Sequence, residues 1–366
     1  MFRQYRIRDY KFTLILWVVI LSVIGIRVIG SAQHSSQIRQ TYGFVLGLIL
    51  MLVLSVTDYT WLLNFSWIFY LSGNLLLIAV LLFGENINGA TRWIRIGIQF
   101  QPSDLMKIIL ILFFSGFFSK NEDKLNTFRF IMISLALLAV PLFLVYKEPD
   151  LSTTIVTALT FCAIIFIAGL SFKIIGGILL VSVPIAVIFF SLILQPGQTL
   201  LSEYQFKRIM AWLKPAQYAD SAYQQRNSII AIGSGQLYGK GLNNNMVSSV
   251  KGGNFIAEPQ TDFIFAVAGE ELGFLGSCLI VLLELLIVIE CIRIGRKARD
   301  LAGRCICCGM ASLIMMQSFM NIAVATGLMP NTGITLPFFS YGVTSLITFC
   351  MGIGIVINVG LQNRKY

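Results

Sequence analysis

Apolar runs of about 17–25 residues recur along almost the whole chain, each long enough to cross the hydrocarbon of a bilayer as a helix. Ten can be read, centred near Val19, Leu50, Leu76, Ile111, Leu137, Ile164, Val183, Leu279, Met315 and Ile353. The longest polar interval, about 195–259, separates the seventh run from the eighth. The pattern predicts an all-α, polytopic membrane protein: a single domain over residues 1–366, with ten transmembrane helices and one large extracytoplasmic loop.

Lys and Arg in short connections set the orientation. Arg3, Arg6, Arg8 and Lys11 precede the first span, and Lys120, Lys124 and Arg129 follow the fourth. Arg293, Arg296, Lys297, Arg299 and Arg304 join the eighth to the ninth, and Arg364-Lys365 closes the chain. With ten spans these clusters share one face, the cytoplasmic one, together with both termini. The long loop then faces outward. The first span, too long for an ordinary signal h-region, reads as an uncleaved anchor.

Composition agrees. At 57% hydrophobic and 12% charged over 366 residues, the chain needs lipid as its solvent. Its net charge of +10 is spread over span ends, which argues against a nucleic-acid partner. The one histidine, His34, excludes His-rich metal sites and leaves acid–base work to carboxylates, Lys or Tyr. The seven cysteines read as small packing residues; zinc or a disulfide at Cys305, Cys307 and Cys308 is the alternative.

Candidate chemistry lies on the outer side. Asp262 stands where the long loop re-enters the membrane, and charge at such an edge reads as functional by default. If Thr261 opens the eighth helix, Asp262 falls in its first turn, ionised by the helix dipole or serving as a cap. Below it Ala266, Gly269, Gly273 and Gly276 form a stripe, either for close packing or for a lipid tail. Glu270 and Glu271 fall deep in the hydrocarbon on a straight helix, with Arg27 and Lys107 as partners. Asp104 and Lys107 share a helix face, so a salt bridge or a cavity-facing lysine fits. Asp150 caps the sixth span or faces the Asp262 cavity. Arg92, in an amphipathic stretch with Trp93, Ile94 and Phe100, is expected to point up from the headgroup layer. The long loop carries Arg208, Lys240 and Lys251 among glycines, which suits an anionic partner such as a phosphate. Pro330 to Gly342 breaks the backbone at membrane depth, which only a protein or wet-cavity cover permits.

The blocks GATRWIRIGIQFQPSDLMK, KEPDLSTT, YQQRNSIIAIGSGQLYGKG, AEPQTDFIFAVAGEELG and GLMPNTGITLPFFSYGVTS occur in this order. Together they resemble the SEDS family (shape, elongation, division and sporulation), which includes RodA, FtsW and SpoVE. The resemblance implies a peptidoglycan glycosyltransferase polymerising lipid II at the outer face of the bacterial cytoplasmic membrane. It places the essential aspartate on Asp262, the acid–lysine pair on Asp104 and Lys107, and a further aspartate on Asp150. Arg92, Arg208, Glu258 and Thr261 complete the expected substrate-binding set.

Departures are few. Asp104 replaces the usual Glu, Ser152 a glycine, Ala257 a proline and Gln260 a histidine, so no His-dependent mechanism is open to this chain. The short termini favour a RodA-type elongation role over a division or sporulation one. A lipid II flippase is the alternative of a different class. Implied partners are lipid II, membrane lipid, a class B penicillin-binding protein, MreC, MreD and RodZ. A divalent cation is left open as cofactor; no cluster of acids demands one.

Overall fold

A computed structural model describes residues 10–87, 90–96, 98–193, 203–243 and 255–362. Arg3, Arg6, Arg8, Lys251, Arg364 and Lys365 lie outside the described residues.

All ten expected spans are helices: α1 (Phe12–Ala32), α2 (His34–Val56), α4 (Ser66–Phe83), α5 (Pro102–Lys120), α6 (Phe128–Lys147), α7 (Leu151–Ala168), α8 (Phe172–Ile193), α11 (Ile264–Arg296), α12 (Leu301–Ala325) and α13 (Val343–Leu361). Three shorter helices stand between them: α3 (Tyr59–Asn64), α9 (Glu203–Leu213) and α10 (Ala219–Ser234). Nine of the described helices are long and apolar enough to cross a membrane; α8, with Lys173 as its one charged residue, is a further apolar helix at the position of the seventh expected span.

The spans α5, α12 and α13 are the most buried. Around them, α1, α2, α4 and α6 expose Leu16, Leu46, Leu71 and Phe143, as lipid-facing helices should. Glycine brings α2 and α13 close: a Cβ on Gly47 would lie 3.1 Å from Cys350 Sγ. All seven cysteines are free thiols, and Cys291, Cys305, Cys307 and Cys350 are buried, as packing residues would be.

The basic connections gather at one end of the bundle. Tyr10 and Ser55 hydroxyls meet at 2.8 Å, Gln362 donates to Asp58 at 2.9 Å, and Tyr59 donates to Asp300 at 2.8 Å. The starts of α1 and α3, the α11–α12 turn and the end of α13 are thereby tied together.

Two features of the opposite end differ from expectation. Three strands, β1 (Glu85–Ile87), β2 (Ala90–Ile96) and β3 (Ile98–Phe100), pair antiparallel in the order β1-β2-β3, with Glu85 opposite Trp93 and Ile94 opposite Phe100. The second is a break in α11. Gly273 has φ +67 and ψ −164, so Ile264–Leu272 is a short segment set off from the true span. The loop after α10 docks into the break. Phe274 N donates to Gln236 O at 2.8 Å, while Lys240 N and Gly241 N donate to Glu270 O and Glu271 O at 2.9 and 3.0 Å. The freed backbone groups are thus paired again, as burial demands.

The break corrects the placement of Glu270 and Glu271. They sit at this joint, and their partners are neither Arg27 nor Lys107. Lys240 Nζ lies 2.7 Å from Glu270 Oε1, and Ser31 donates to Glu271. For the stripe, packing wins over a lipid groove: a Cβ on Gly269 would come 3.0 Å from Ile232 Cγ1 of α10, and one on Gly273 would collide with Gly239.

Candidate active site

The turn ahead of α11 is built from its own backbone. Thr261 donates to Glu258 O through N at 3.2 Å and through Oγ1 at 2.9 Å. The helix starts at Ile264 with Phe263 as N-cap and without a side-chain cap. Asp262 therefore sits outside the first turn and caps nothing, which corrects both local readings. Long-range bonds hold it there. Asn321 of α12 donates to Asp262 O at 2.9 Å and to Ile334 O at 2.7 Å. Tyr341 N donates to Gln260 O at 2.9 Å. Gln40 of α2 donates to Ser340 O at 3.0 Å and accepts from Gly342 N at 3.1 Å.

These anchors clamp the broken 326–342 segment against the turn. The covering protein that such backbone needs is α2 and α12.

The carboxylate of Asp262 faces Gly333. A Cβ there would lie 3.3 Å from Asp262 Oδ2 and 3.3 Å from Arg208 Nη1, so acid and guanidinium flank the same point. Gly333 also has φ +71, a backbone state costly for other residues. Burial pushes the Asp262 carboxyl above the ordinary range; Arg208 and Arg92 pull it back, while Glu258 and Asp150 add to the rise. Arg208, Arg92, Glu258 and Asp150, all named from sequence, therefore bear on the charge of Asp262.

Arg92 is the expectation most altered. It does not point up from the headgroup layer: it is 8% exposed, turned inward from β2. Its Nε donates to Glu148 O at 3.3 Å, Nη2 donates to Pro149 O, and Nη1 lies 3.7 Å from Asp150 Oδ2. The physical reason is local: the C-terminal carbonyls of α6 carry partial negative charge and attract a cation. Asp150 caps α7, accepting from Thr153 N at 3.1 Å, and also accepts from Gln101 Nε2 at 3.4 Å. Capping and membership of the site coexist here. Ser152 then donates to Thr332 O at 2.7 Å, joining α7 to the broken segment.

Lys107 is buried and ion-paired to Asp104 at 2.8 Å. It also donates to Gln317 Oε1 at 2.9 Å and stands 5.6 Å from the centre of the Phe349 ring. Gln317 passes the linkage on, donating to Thr335 O at 3.0 Å. A water-sized cavity of about 10 Å³ lies beside the lysine, lined by Thr157 and Thr160 among apolar side chains. As found, the pair supports the floor of the site rather than lining its mouth. Glu258 is exposed and Thr261 half-buried at the rim.

Sequence reasoning missed Gln317 and Asn321, which bind the broken segment from one face of α12. Two amides four residues apart in an apolar span were the available signal. It also missed Gln40 and Glu148. Among the described residues, no three or more His, Cys, Asp or Glu side chains converge as a metal site would require.

Comparison with known proteins places this arrangement. A family model described as "Cell cycle protein", FtsW/RodA/SpoVE, matches residues 8–365. Peptidoglycan glycosyltransferase MrdB of Escherichia coli K12 is 33% identical over 358 residues, covering 96% of this chain and 94% of that one. Stage V sporulation protein E of Bacillus subtilis is 35% identical, covering 89% and 87%. A probable peptidoglycan glycosyltransferase FtsW from Aliivibrio salmonicida is 33% identical, covering 94% and 84%. Among solved structures, a chain from a study of how a peptidoglycan synthase complex coordinates polymerization and crosslinking superposes with TM-score 0.79 at 27% identity, over 98% and 99% of the chains. The rod shape determining protein RodA of Thermus thermophilus gives 0.70 at 26%, over 98% of each chain. Nine described helices able to cross a membrane, the ordered motifs and an end-to-end match agree: the chain is a multi-pass membrane protein that belongs to the FtsW/RodA/SpoVE, or SEDS, family.

Proposed function

We propose that the chain is a peptidoglycan glycosyltransferase that polymerises lipid II at the outer face of the cytoplasmic membrane. The observation that carries this reading is Asp262 and Arg208 flanking Gly333, at the point where the loop meets the membrane. Relatives bearing the glycosyltransferase name support it. The basic end of the bundle is then cytoplasmic, by the charge rule.

In this reading Asp262 takes the proton from the sugar 4-hydroxyl of an acceptor lipid II. The oxygen attacks the anomeric carbon of the donor, inverts it, and the C–O bond to undecaprenyl diphosphate breaks. A base with a raised pKa suits proton transfer near neutral pH and contributes about 10²–10⁴-fold. Holding both lipid-linked sugars at one membrane edge adds the advantage of positioning. Arg208 offers a guanidinium beside the acid, where the leaving diphosphate develops charge. Arg92 acts through Asp150, and Lys107 through Gln317, each fixing a wall.

The likeness to a chain of a synthase complex that couples polymerization to crosslinking supports a crosslinking partner, a class B penicillin-binding protein. An elongation role is the finer part of the reading, supported by the match to RodA over 98% of both chains. The deciding experiment incubates purified protein with lipid II in detergent. Glycan strands are expected. Their absence, alone and with the partner, would overturn polymerisation, and detergent removes the two compartments that flipping needs.

A further inference from the structure

Glu148, the C-cap of α6, is fully buried, and neither carboxyl oxygen meets a hydrogen-bond partner among the described residues. A buried, unpaired carboxylate is too costly to keep ionised and takes up a proton instead. Arg92 does not supply the missing partner. Its contacts pass the side chain by and go to the carbonyls of Glu148 and Pro149 and to Asp150. The charged groups facing Glu148 are Arg92 from β2 and Asp150 from the head of α7. Beyond them stand Asp104 and Lys107 of α5, closed on one another at 2.8 Å, Asp262 of the turn before α11, and Arg208 of α9.

We infer that Glu148 is a positioning residue, kept uncharged behind the Arg92–Asp150 pair so that Arg92 holds the head of α7 and no further anion stands in the wall of the Asp262 site. The inference rests on the reading of Asp262 as the reacting carboxylate. Burial, reinforced by Asp150 and opposed by Arg92, pushes the Glu148 carboxyl up to about 9. Loss of that proton to solvent would set a carboxylate beside Asp150 and draw Arg92 away from the α6 carbonyls. It would also raise negative potential where an anionic lipid diphosphate approaches. The consequence falls on substrate binding, so KM rises while kcat changes less.

The test uses the full chain in detergent with lipid II as the probe, from neutral pH to about 10. Wild-type kcat/KM is expected to fall above an inflection near 9, about tenfold per pH unit and mostly through KM. Glu148→Gln, uncharged at every pH, is expected to keep the neutral rate within about twofold and to lose that inflection. Glu148→Met serves the same purpose should the glutamine protein fail to fold. A variant that is folded yet inactive at neutral pH, or that retains the inflection, overturns the inference. Infrared difference spectra, wild type against variant, need no turnover. A protonated-carboxyl band at neutral pH that disappears as pH passes about 9 is expected, and its absence overturns the inference. The band present in a wild type that makes no glycan would sink the Asp262 reading alone.

Discussion

The two ends of this bundle spend their polar residues differently. At the basic end, Asp300 accepts from Tyr59 OH at 2.8 Å and from Gly303 N at 2.8 Å. Asn358 accepts from Tyr59 N at 2.9 Å and donates to Ser55 O at 3.0 Å, and Arg299 Nε donates to Tyr59 OH at 3.1 Å. Each group is closed on a neighbour, which suits a clamp. At the opposite end amides do the clamping: Gln40, Asn321 and Gln317 fix backbone. The acid they surround is left outside the clamp, Asp262 facing a glycine. Uncommitted acid among committed amides marks where chemistry is expected. Polar groups closed on one another mark where the fold is held.

Substitutions can break that contrast, and the largest effect belongs to the acid itself. Asp262→Asn is expected to lower the rate of glycan formation by about 10²–10⁴-fold while the protein stays folded, read on purified lipid II. Next comes Arg208→Ala, expected to cost about 10–100-fold in kcat/KM, the worth of a charge-assisted contact. Gly333→Ala places a methyl 3.3 Å from both groups and strains a φ of +71; about a tenfold loss of rate is expected, with a stability loss of about 1–2 kcal/mol from the strained backbone. The smallest effect on turnover belongs to the other end. Asp300→Ala removes the α12 cap and is expected to cost about 1–2 kcal/mol of stability, seen as a lower Tm, with kcat within about twofold. A large loss of kcat there, without loss of fold, would erase the distinction between the ends.

Much of this architecture was readable from residues alone. Spans of about 20 apolar residues with basic turns leave few topologies, so the ten long helices fall where the apolar runs lie. The position of Asp262 was equally plain, because a polar loop meeting an apolar run has a definite edge. What stayed hidden depends on contacts distant in sequence. A glycine inside an apolar run reads as a packing residue, and only the docked 235–241 loop makes Gly273 a break. Arg92 alternates with aromatics in a way that fits an interfacial segment as well as a strand. Its inward turn follows from the α6 carbonyls, 56 and 57 residues further along. The neutral state of Glu148 is set by what surrounds it, and nothing in KEPD announces that.

A proton accepted by the Asp262 carboxylate is read from the acid limb of the pH profile: kcat/KM for glycan formation against falling pH, in wild type and Arg208→Ala. A base works only when ionised, and burial holds this carboxyl above the usual range while Arg208 restrains it. The wild-type rate is therefore expected to fall through a midpoint above that of an ordinary aspartate, and removal of Arg208 to move the midpoint higher. A limb at the ordinary carboxylate value, unmoved by the loss of Arg208, would contradict the assignment.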